Sequence, residues 1–117
     1  MIIKSDNNSI FGGFTQIGFI KAKDKKYKDD NAFVFSLINK KIYPVKKNSF
    51  AIRCYYCCCP QFYSNTIYLY HNFLKHSNNY VGGKNDNYEG FTKDYELNNG
   101  NTSYKVLELE IYQINFI

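Results

Sequence analysis

The chain has 117 residues, which limits it to one domain with one modest hydrophobic core. Hydrophobic residues make up 44% and aromatic residues 19% of it, and this composition excludes a disordered tail. The net charge of +5 is uneven, because residues 1–58 carry 11 basic and 4 acidic side chains. The sequence has no apolar run long enough to span a membrane and no signal peptide, so we expect a cytoplasmic protein with reduced cysteines.

The first half of the chain predicts β-strands separated by short turns. The paired glycines Gly12 and Gly13 indicate a turn, and residues 15–20 follow as a strand. Residues 32–38 are apolar throughout, which is typical of a buried central strand with Phe33, Phe35 and Leu37 in the core. On this basis Phe35→Ala would cost about 3–5 kcal/mol. A polar turn at residues 39–41 leads to a return strand, residues 42–45, in which Pro44 indicates an edge position or a bulge.

The second half continues in the same way. Residues 50–56 and 66–70 predict strands, residues 75–90 a loop, and residues 98–101 a hairpin turn. Residues 104–114 predict a strand with Leu107, Leu109 and Ile111 on the core face. The fold class predicted from these elements is mainly β, an antiparallel two-sheet β-sandwich.

Five segments occur in an order that resembles the TLDc domain of oxidation-resistance-type proteins. They are Phe11-Gly12-Gly13-Phe14-Thr15, residues 30–37, Ala51-Ile52, Tyr88-Glu89-Gly90 and residues 106–112. The resemblance implies a two-sheet sandwich with a few short helices and no agreed catalytic residues. It also implies a protein-interaction function linked to oxidative-stress protection and to binding of the vacuolar proton-pumping ATPase.

The chain departs from the family pattern in two places. The Phe-Gly-Gly motif comes only ten residues after Met1, so we expect residues 1–9 to be a lead and residues 10–117 to be the C-terminal two thirds of the family domain. An incomplete sandwich leaves apolar surface and strand edges uncovered, which predicts marginal stability and self-association. The segment 59–63 keeps the proline and phenylalanine of a family turn and loses both of its glycines.

A run of lysines at residues 21–28 carries most of the excess positive charge. It includes Lys23, Lys25 and Lys26 and is followed by two aspartates. We expect a solvated loop, in which neutralising a lysine changes stability by less than about 0.5 kcal/mol. The alternative is a phosphate-binding patch, which would make these lysines interaction residues.

The four cysteines fall within six positions and admit two chemical interpretations. Cys54, Cys58, His71 and His76 have the spacing of a Cys2His2 zinc site, which would make the chain a zinc-stabilised nucleic-acid binder. Residues 66–70, however, are β-branched and aromatic, whereas a zinc finger requires a helix there. A thiol-redox function of the 54–59 cluster is the other alternative, although two tyrosines on a strand would not lower a thiol pKa.

The function predicted from the sequence is a non-enzymatic interaction module without a cofactor. Glu108 and Glu110 alternate with apolar residues on the last strand and therefore project to solvent, where they offer an acidic contact surface to a partner protein. Nucleic acid is the less favoured partner because the aromatic residues fall at core positions of the predicted strands.

Overall fold

The computed structural model describes residues 1–18, 25–54, 61–63, 65–70, 72–75, 77–84 and 87–115. Its strands, in chain order, are β1 (Ile2–Ser5), β2 (Ile10–Phe14), β3 (Lys25–Lys28), β4 (Phe33–Ser36), β5 (Lys41–Pro44), β6 (Phe50–Cys54), β7 (Gln61–Phe62), β8 (Ile67–Tyr68), β9 (Asn79–Val81), β10 (Ser103–Tyr104) and β11 (Val106–Glu110). A single turn of 3-10 helix, Glu96–Asn98, precedes β10.

The strands form two antiparallel sheets, which confirms the predicted mainly β class. The first sheet has the order β11-β1-β2-β4-β5, and the second has the order β10-β9-β8-β7-β6-β3. The side chains between the sheets form one core that includes Phe11, Val34, Tyr43, Phe62 and Tyr104. None of the described residues belongs to a helix that is long and apolar enough to cross a membrane.

The first residues of the chain form part of the first sheet. β1 lies between β2 and β11 and pairs antiparallel with both. The amino group of Met1 donates a hydrogen bond to the Gly13 carbonyl oxygen at 3.0 Å, and the Gly13 amide donates to the Met1 carbonyl oxygen at 3.1 Å. Residues 2–5, which the sequence analysis assigned to a lead, therefore occupy an interior position of this sheet.

Gly12 and Gly13 lie within β2 instead of forming the predicted turn. A Cβ atom on Gly13 would overlap the ring of Phe62, which belongs to the opposite sheet. A Cβ atom on Gly12 would overlap the Met1 carbonyl oxygen of the neighbouring strand. The two glycines are thus required by close approach between chain segments and not by a reversal of the backbone.

The side chains of β4 face the opposite way from the prediction. Phe11 pairs with Ser36 and Gly13 pairs with Val34, so Val34 and Ser36 point into the core together with their buried partners on β2. Phe33 and Phe35 are half-buried on the outer face, and the prediction that they are core residues was wrong. Leu37, the third predicted core residue, is 53% exposed in the turn after the strand.

Strand assignments in two polar regions also need correction. Residues 15–18 are not a strand, and residues 19–20 lie outside the described part of the chain. Within the predicted loop 75–90, β9 forms around the fully buried Asn79. Its side chain accepts a hydrogen bond from the Tyr70 amide at 3.0 Å and donates to the Phe73 carbonyl oxygen at 3.1 Å. A strand that begins with a buried polar residue is not detected by a search for apolar periodicity.

The predicted last strand is divided between the two sheets. β10 belongs to the second sheet and β11 to the first, with Lys105 between them. A bulge at this end of the β1–β11 ladder places Val106 in the core and leaves Leu107 51% exposed. Ile111 is likewise exposed, whereas Leu109 packs partly buried against the core. The predicted core position was therefore wrong for Leu107 and Ile111 and correct for Leu109. The turn at residues 98–101 exists, with positive φ at Asn99 and Gly100, but it follows the 3-10 helix and does not join two strands into a hairpin.

The close contact between Gly13 and Phe62 predicts a large effect of a single methyl group. Gly13→Ala should destabilise the domain by about 1–3 kcal/mol, because the new Cβ forces the Phe62 ring and the facing sheet apart. Gly18→Ala is the matched control, since a Cβ there would meet no atom within 4 Å. Urea unfolding of both variants measures the difference, and equal midpoints would contradict the close approach.

The register of β4 predicts a second difference in stability. Phe11→Ala removes a fully buried ring and should cost about 3–5 kcal/mol. Phe35→Ala removes a half-buried ring from the outer face and should cost only about 1 kcal/mol. The same unfolding assay compares the two variants. A larger cost for Phe35→Ala than for Phe11→Ala would show that Phe35 is a core residue.

Candidate interaction surface

The outer face of the first sheet is apolar, although it is not covered by the second sheet. Along one row of directly opposed residues, Ile2, Gly12, Phe35 and Ile42 follow one another across four strands. Neighbouring rows add further apolar side chains with the same orientation. We call this surface the apolar face; it consists of Ile2, Ile10, Phe14, Phe33, Phe35 and Ile42.

Aromatic rings give the apolar face a defined shape. The rings of Phe14 and Phe33 stack with their centroids 5.3 Å apart, and Phe33 and Phe35 lie 6.4 Å apart in a tilted arrangement. Ile42 is 61% exposed beside them, and Leu37 and Ile38 in the following turn are also more than half exposed. A contiguous apolar patch of this kind is uncommon on a monomer and indicates an interaction site.

A groove of about 910 Å³ lies at one end of this surface. Phe14, Phe33 and Phe35 contribute to one side of its lining, and Ile111 and Ile114 of the C-terminal segment contribute to the other. Ile111 is 55% and Ile114 57% exposed, so the C-terminal segment adds apolar surface to the groove without closing it. The arrangement therefore offers an apolar recess next to a flat apolar face.

The predicted acidic residues border the apolar face at the β11 edge. Glu110 lies directly opposite Ile2, and Glu108 lies directly opposite Lys4, on the same outer side of the sheet. Both glutamates are exposed, as the alternation of the sequence predicted. The Tyr112 hydroxyl donates a hydrogen bond to Glu110 at 2.9 Å, and this bond with the charge of Glu110 raises the pKa of Tyr112. The apolar face thus has an acidic margin.

A second, polar cleft of about 400 Å³ lies near the β5 edge and contains Glu96. One carboxylate oxygen of Glu96 accepts hydrogen bonds from the Thr92 hydroxyl at 2.7 Å and from the backbone amides of Thr92 and Lys93 at 3.2 Å. The other oxygen accepts from the Tyr43 hydroxyl and lies 3.4 Å from the Lys41 ammonium. The sequence analysis missed this group, because its members meet only when residues 90–96 fold against β5.

The environment of Glu96 stabilises its ionised form. Burial by itself would raise the pKa of Glu96, but the hydrogen bonds from Tyr43 and Thr92 and the charge of Lys41 together lower it to about 2. Burial and the same hydrogen bond raise the pKa of Tyr43. With both oxygens hydrogen-bonded, the ionised carboxylate of Glu96 has a structural role. It fastens residues 90–96 to β5, and the Lys41 ammonium adds a hydrogen bond to the Gly90 carbonyl oxygen.

The Tyr88-Glu89-Gly90 motif extends this attachment. Tyr88 is buried and its hydroxyl donates to the Ala51 carbonyl oxygen of β6 at 2.6 Å. Glu89 is exposed, and its backbone amide donates to the Pro44 carbonyl oxygen at 2.8 Å. Gly90 has φ of 98°, a conformation that other residues adopt only with strain. The motif therefore covers the edge of β5 and links the two sheets.

The lysines and cysteines are separated from the apolar face. Lys25 and Lys26 are exposed on β3, an edge strand of the second sheet, and not in the loop that the sequence predicted; Lys23 lies outside the described residues. Cys54 is a buried free thiol at the end of β6. Its proposed zinc partners Cys58, His71 and His76 also lie outside the described residues. No group of three potential metal ligands occurs within the described ranges.

Comparison with known proteins gives one match. The TLDc domain family matches residues 1–115, nearly the entire chain. The chain belongs to the TLDc domain family. No curated protein and no solved structure matches it significantly. The match to the TLDc domain includes residues 1–9, and therefore β1.

The Glu96 attachment of this TLDc domain predicts a dependence of stability on pH. Because the folded-state pKa of Glu96 is lowered to about 2 from its usual value of 4.5, its contribution is fully present above about pH 5 and is lost as the pH falls toward 2. Glu96→Gln should lower the free energy of unfolding at neutral pH by about 1–3 kcal/mol and reduce the loss of stability between these pH values.

Glu89→Gln provides the control for this prediction. It makes the same chemical change at an exposed side chain of the neighbouring motif. Thermal unfolding followed across the acidic range should show the wild-type slope for Glu89→Gln and a shallower slope for Glu96→Gln. Identical slopes for all three proteins would contradict the structural role of the ionised Glu96.

Proposed function

We propose that this TLDc domain is a non-enzymatic module that binds a protein partner through the apolar face. The observation that carries the proposal is the outward orientation of Phe33 and Phe35 beside the exposed Ile42. Burial of such side chains by a partner supplies binding free energy, because large apolar and aromatic residues dominate the energetics of interfaces.

The partner that this surface fits has an apolar contact region with basic residues at its side. The apolar region would cover Phe33, Phe35 and Ile42, and the basic residues would face Glu108 and Glu110 at the acidic margin. Opposite charges at the rim mainly increase the association rate and select the orientation of the partner. From the family resemblance we propose a subunit of the vacuolar proton-pumping ATPase as this partner, and a cytoplasmic role in protection against oxidative stress.

The decisive experiment measures binding to the purified peripheral sector of the proton-pumping ATPase. Phe35→Ser combined with Ile42→Ser should weaken binding about tenfold or more, because the two side chains are direct cross-strand neighbours on the apolar face. Leu74→Ser is the matched control, since Leu74 is 61% exposed and lies away from this sheet. Equal binding by the double variant and the control would overturn the proposed surface.

Two further measurements distinguish a wrong choice of partner from a wrong choice of surface. Glu108→Gln with Glu110→Gln should slow association and reduce its dependence on salt, while leaving dissociation nearly unchanged. In the absence of a partner, the apolar face should drive self-association, which sedimentation of the wild type and of the Phe35→Ser, Ile42→Ser variant would compare. Concentration-dependent mass that is lost in the variant supports the surface even if the ATPase does not bind; in that case the proposed partner is wrong.

A further inference from the structure

The free edge of the second sheet carries a concentration of positive charge. β3 has three exposed lysines, Lys25, Lys26 and Lys28, within four residues. Arg53 of the neighbouring strand β6 lies directly opposite Lys26. The three lysines thus lie on the strand that ends the described strand order of the second sheet.

The two aspartates that directly follow β3 are hydrogen-bonded to neighbouring loops, and Asp24, which precedes β3, lies outside the described residues. Asp29 accepts hydrogen bonds from the Thr15 hydroxyl at 2.6 Å, the Gln16 amide at 2.7 Å and the Asn31 amide at 3.1 Å. Asp30 accepts one from the Asn48 amide at 3.1 Å. Both aspartates thus organise local loops. The ion pair of Lys41 with Glu96 lies on a different strand.

Aromatic rings support the lysine ammonium groups instead. Lys26 lies 5.4 Å from the centroid of Phe50 and 5.3 Å from that of Tyr63, and Lys28 lies 5.5 Å from Phe50. Lys25 lies 5.2 Å from the ring of Tyr27. Such contacts position a cation while leaving its hydrogen-bond donors available to an external anion.

Among the described residues, the backbone of β3 pairs on one side only. β3 pairs with β6 and ends the strand order of the second sheet as far as the structure describes it. An edge strand offers unpaired N–H and C=O groups to which an extended peptide adds as a further strand. Main-chain pairing supplies affinity in this mode, and the side chains of the edge strand supply specificity.

We propose that the β3 edge binds an extended, acidic segment of another protein, which adds a strand to the second sheet. Because successive residues of a strand point to opposite faces, Lys25 and Lys26 present charge on both sides of the edge. The segment that fits therefore has carboxylates at consecutive positions over about four residues, a length of about 13 Å. This site lies on the second sheet and is separate from the apolar face of the first.

The same charge distribution disfavours two other occupants. A second copy of β3 would bring lysines against lysines, and lysines on an edge strand are a common means of preventing such pairing. Lysine provides point charges without the planar, bidentate geometry by which arginine recognises phosphate groups. A peptide edge, in contrast, uses both the ammonium groups and the backbone of β3.

The test is fluorescence anisotropy with a labelled peptide that contains four consecutive glutamates between β-branched residues. The variant is the intact chain with Lys25→Gln, Lys26→Gln and Lys28→Gln, and the control carries the same charge loss at the exposed Lys47, Lys75 and Lys105. We expect the variant to bind the peptide at least about tenfold more weakly than the wild type, and the control to bind within about twofold of the wild type. Equal weakening of binding in the variant and the control would show that net charge alone causes the effect, and it would overturn the proposed site.

Strand addition is tested separately from charge. The same peptide with N-methyl groups on alternate residues keeps its carboxylates and loses the amide donors of those residues, which face one edge of the strand. It should therefore bind about tenfold more weakly. Equal affinity for the methylated peptide, no binding of the unmethylated peptide at millimolar concentration, or tighter binding of oligothymidine would each overturn the proposal. A rise in mass with protein concentration that the β3 variant abolishes would identify a second copy as the occupant and would also overturn it.

The result is independent of the function proposed above. The Phe35→Ser, Ile42→Ser variant should retain the acidic peptide, because those residues lie on the first sheet. Loss of ATPase binding with retained peptide binding, or the reverse, therefore assigns each failure to one surface. Circular dichroism of every variant establishes that the sheets are intact.

Discussion

The contact between the Phe62 ring and the backbone of Gly13 is the constraint on which the arrangement of the two sheets depends. A side chain larger than hydrogen at position 13 would overlap the ring, so the Phe62 ring of β7 packs directly against the backbone of β2. The adjacent Gly12 lets the backbone of Met1 lie against β2 in the same way. Both glycines give up strand propensity, and the close packing that they permit compensates for it.

This constraint also fixes the orientation of the side chains across the first sheet. Because Phe11 and Gly13 face the core, their partners Ser36 and Val34 face it as well, and Phe33 and Phe35 are turned outward. A slip of β4 by one residue would bury the phenylalanines and expose Val34, so its pairing with β2 decides which residues are buried. The apolar face is therefore a consequence of the pairing register and not of a local preference of β4.

The edges of the two sheets differ, because one is covered, one carries negative charge and one carries positive charge. β5 is covered by residues 87–91 through the Val45–Tyr88 bridge and through the hydrogen bond of Glu89 with Pro44. β11 borders the apolar face with two glutamates, whereas β3 presents lysines. Exposed strand edges favour unspecific association unless they are covered or charged. Opposite charges at β11 and β3 discourage pairing of like edges and leave each suited to a different partner chemistry.

The sequence by itself determined the mainly β class, the antiparallel turn near residues 39–41, the edge position of Pro44 and the exposure of Glu108 and Glu110. These features depend on local propensity, turn residues and alternation over a few positions, and all of this information lies within one segment. The family, too, was recognisable from motifs in their order along the chain.

The tertiary structure alone decided which face of β4 is buried, that Gly12 and Gly13 lie in a strand, and that residues 103–110 divide between two sheets. It also decided the burial of Asn79 and the assembly of Glu96, Tyr43 and Lys41 into one hydrogen-bonded group. Each of these depends on a partner that is distant in the sequence: Phe62 for Gly13, Phe11 for Ser36, and β5 for Glu96. An apolar run such as residues 32–38 reads the same in either register, and only pairing with β2 selects the one that leaves Phe33 and Phe35 outside.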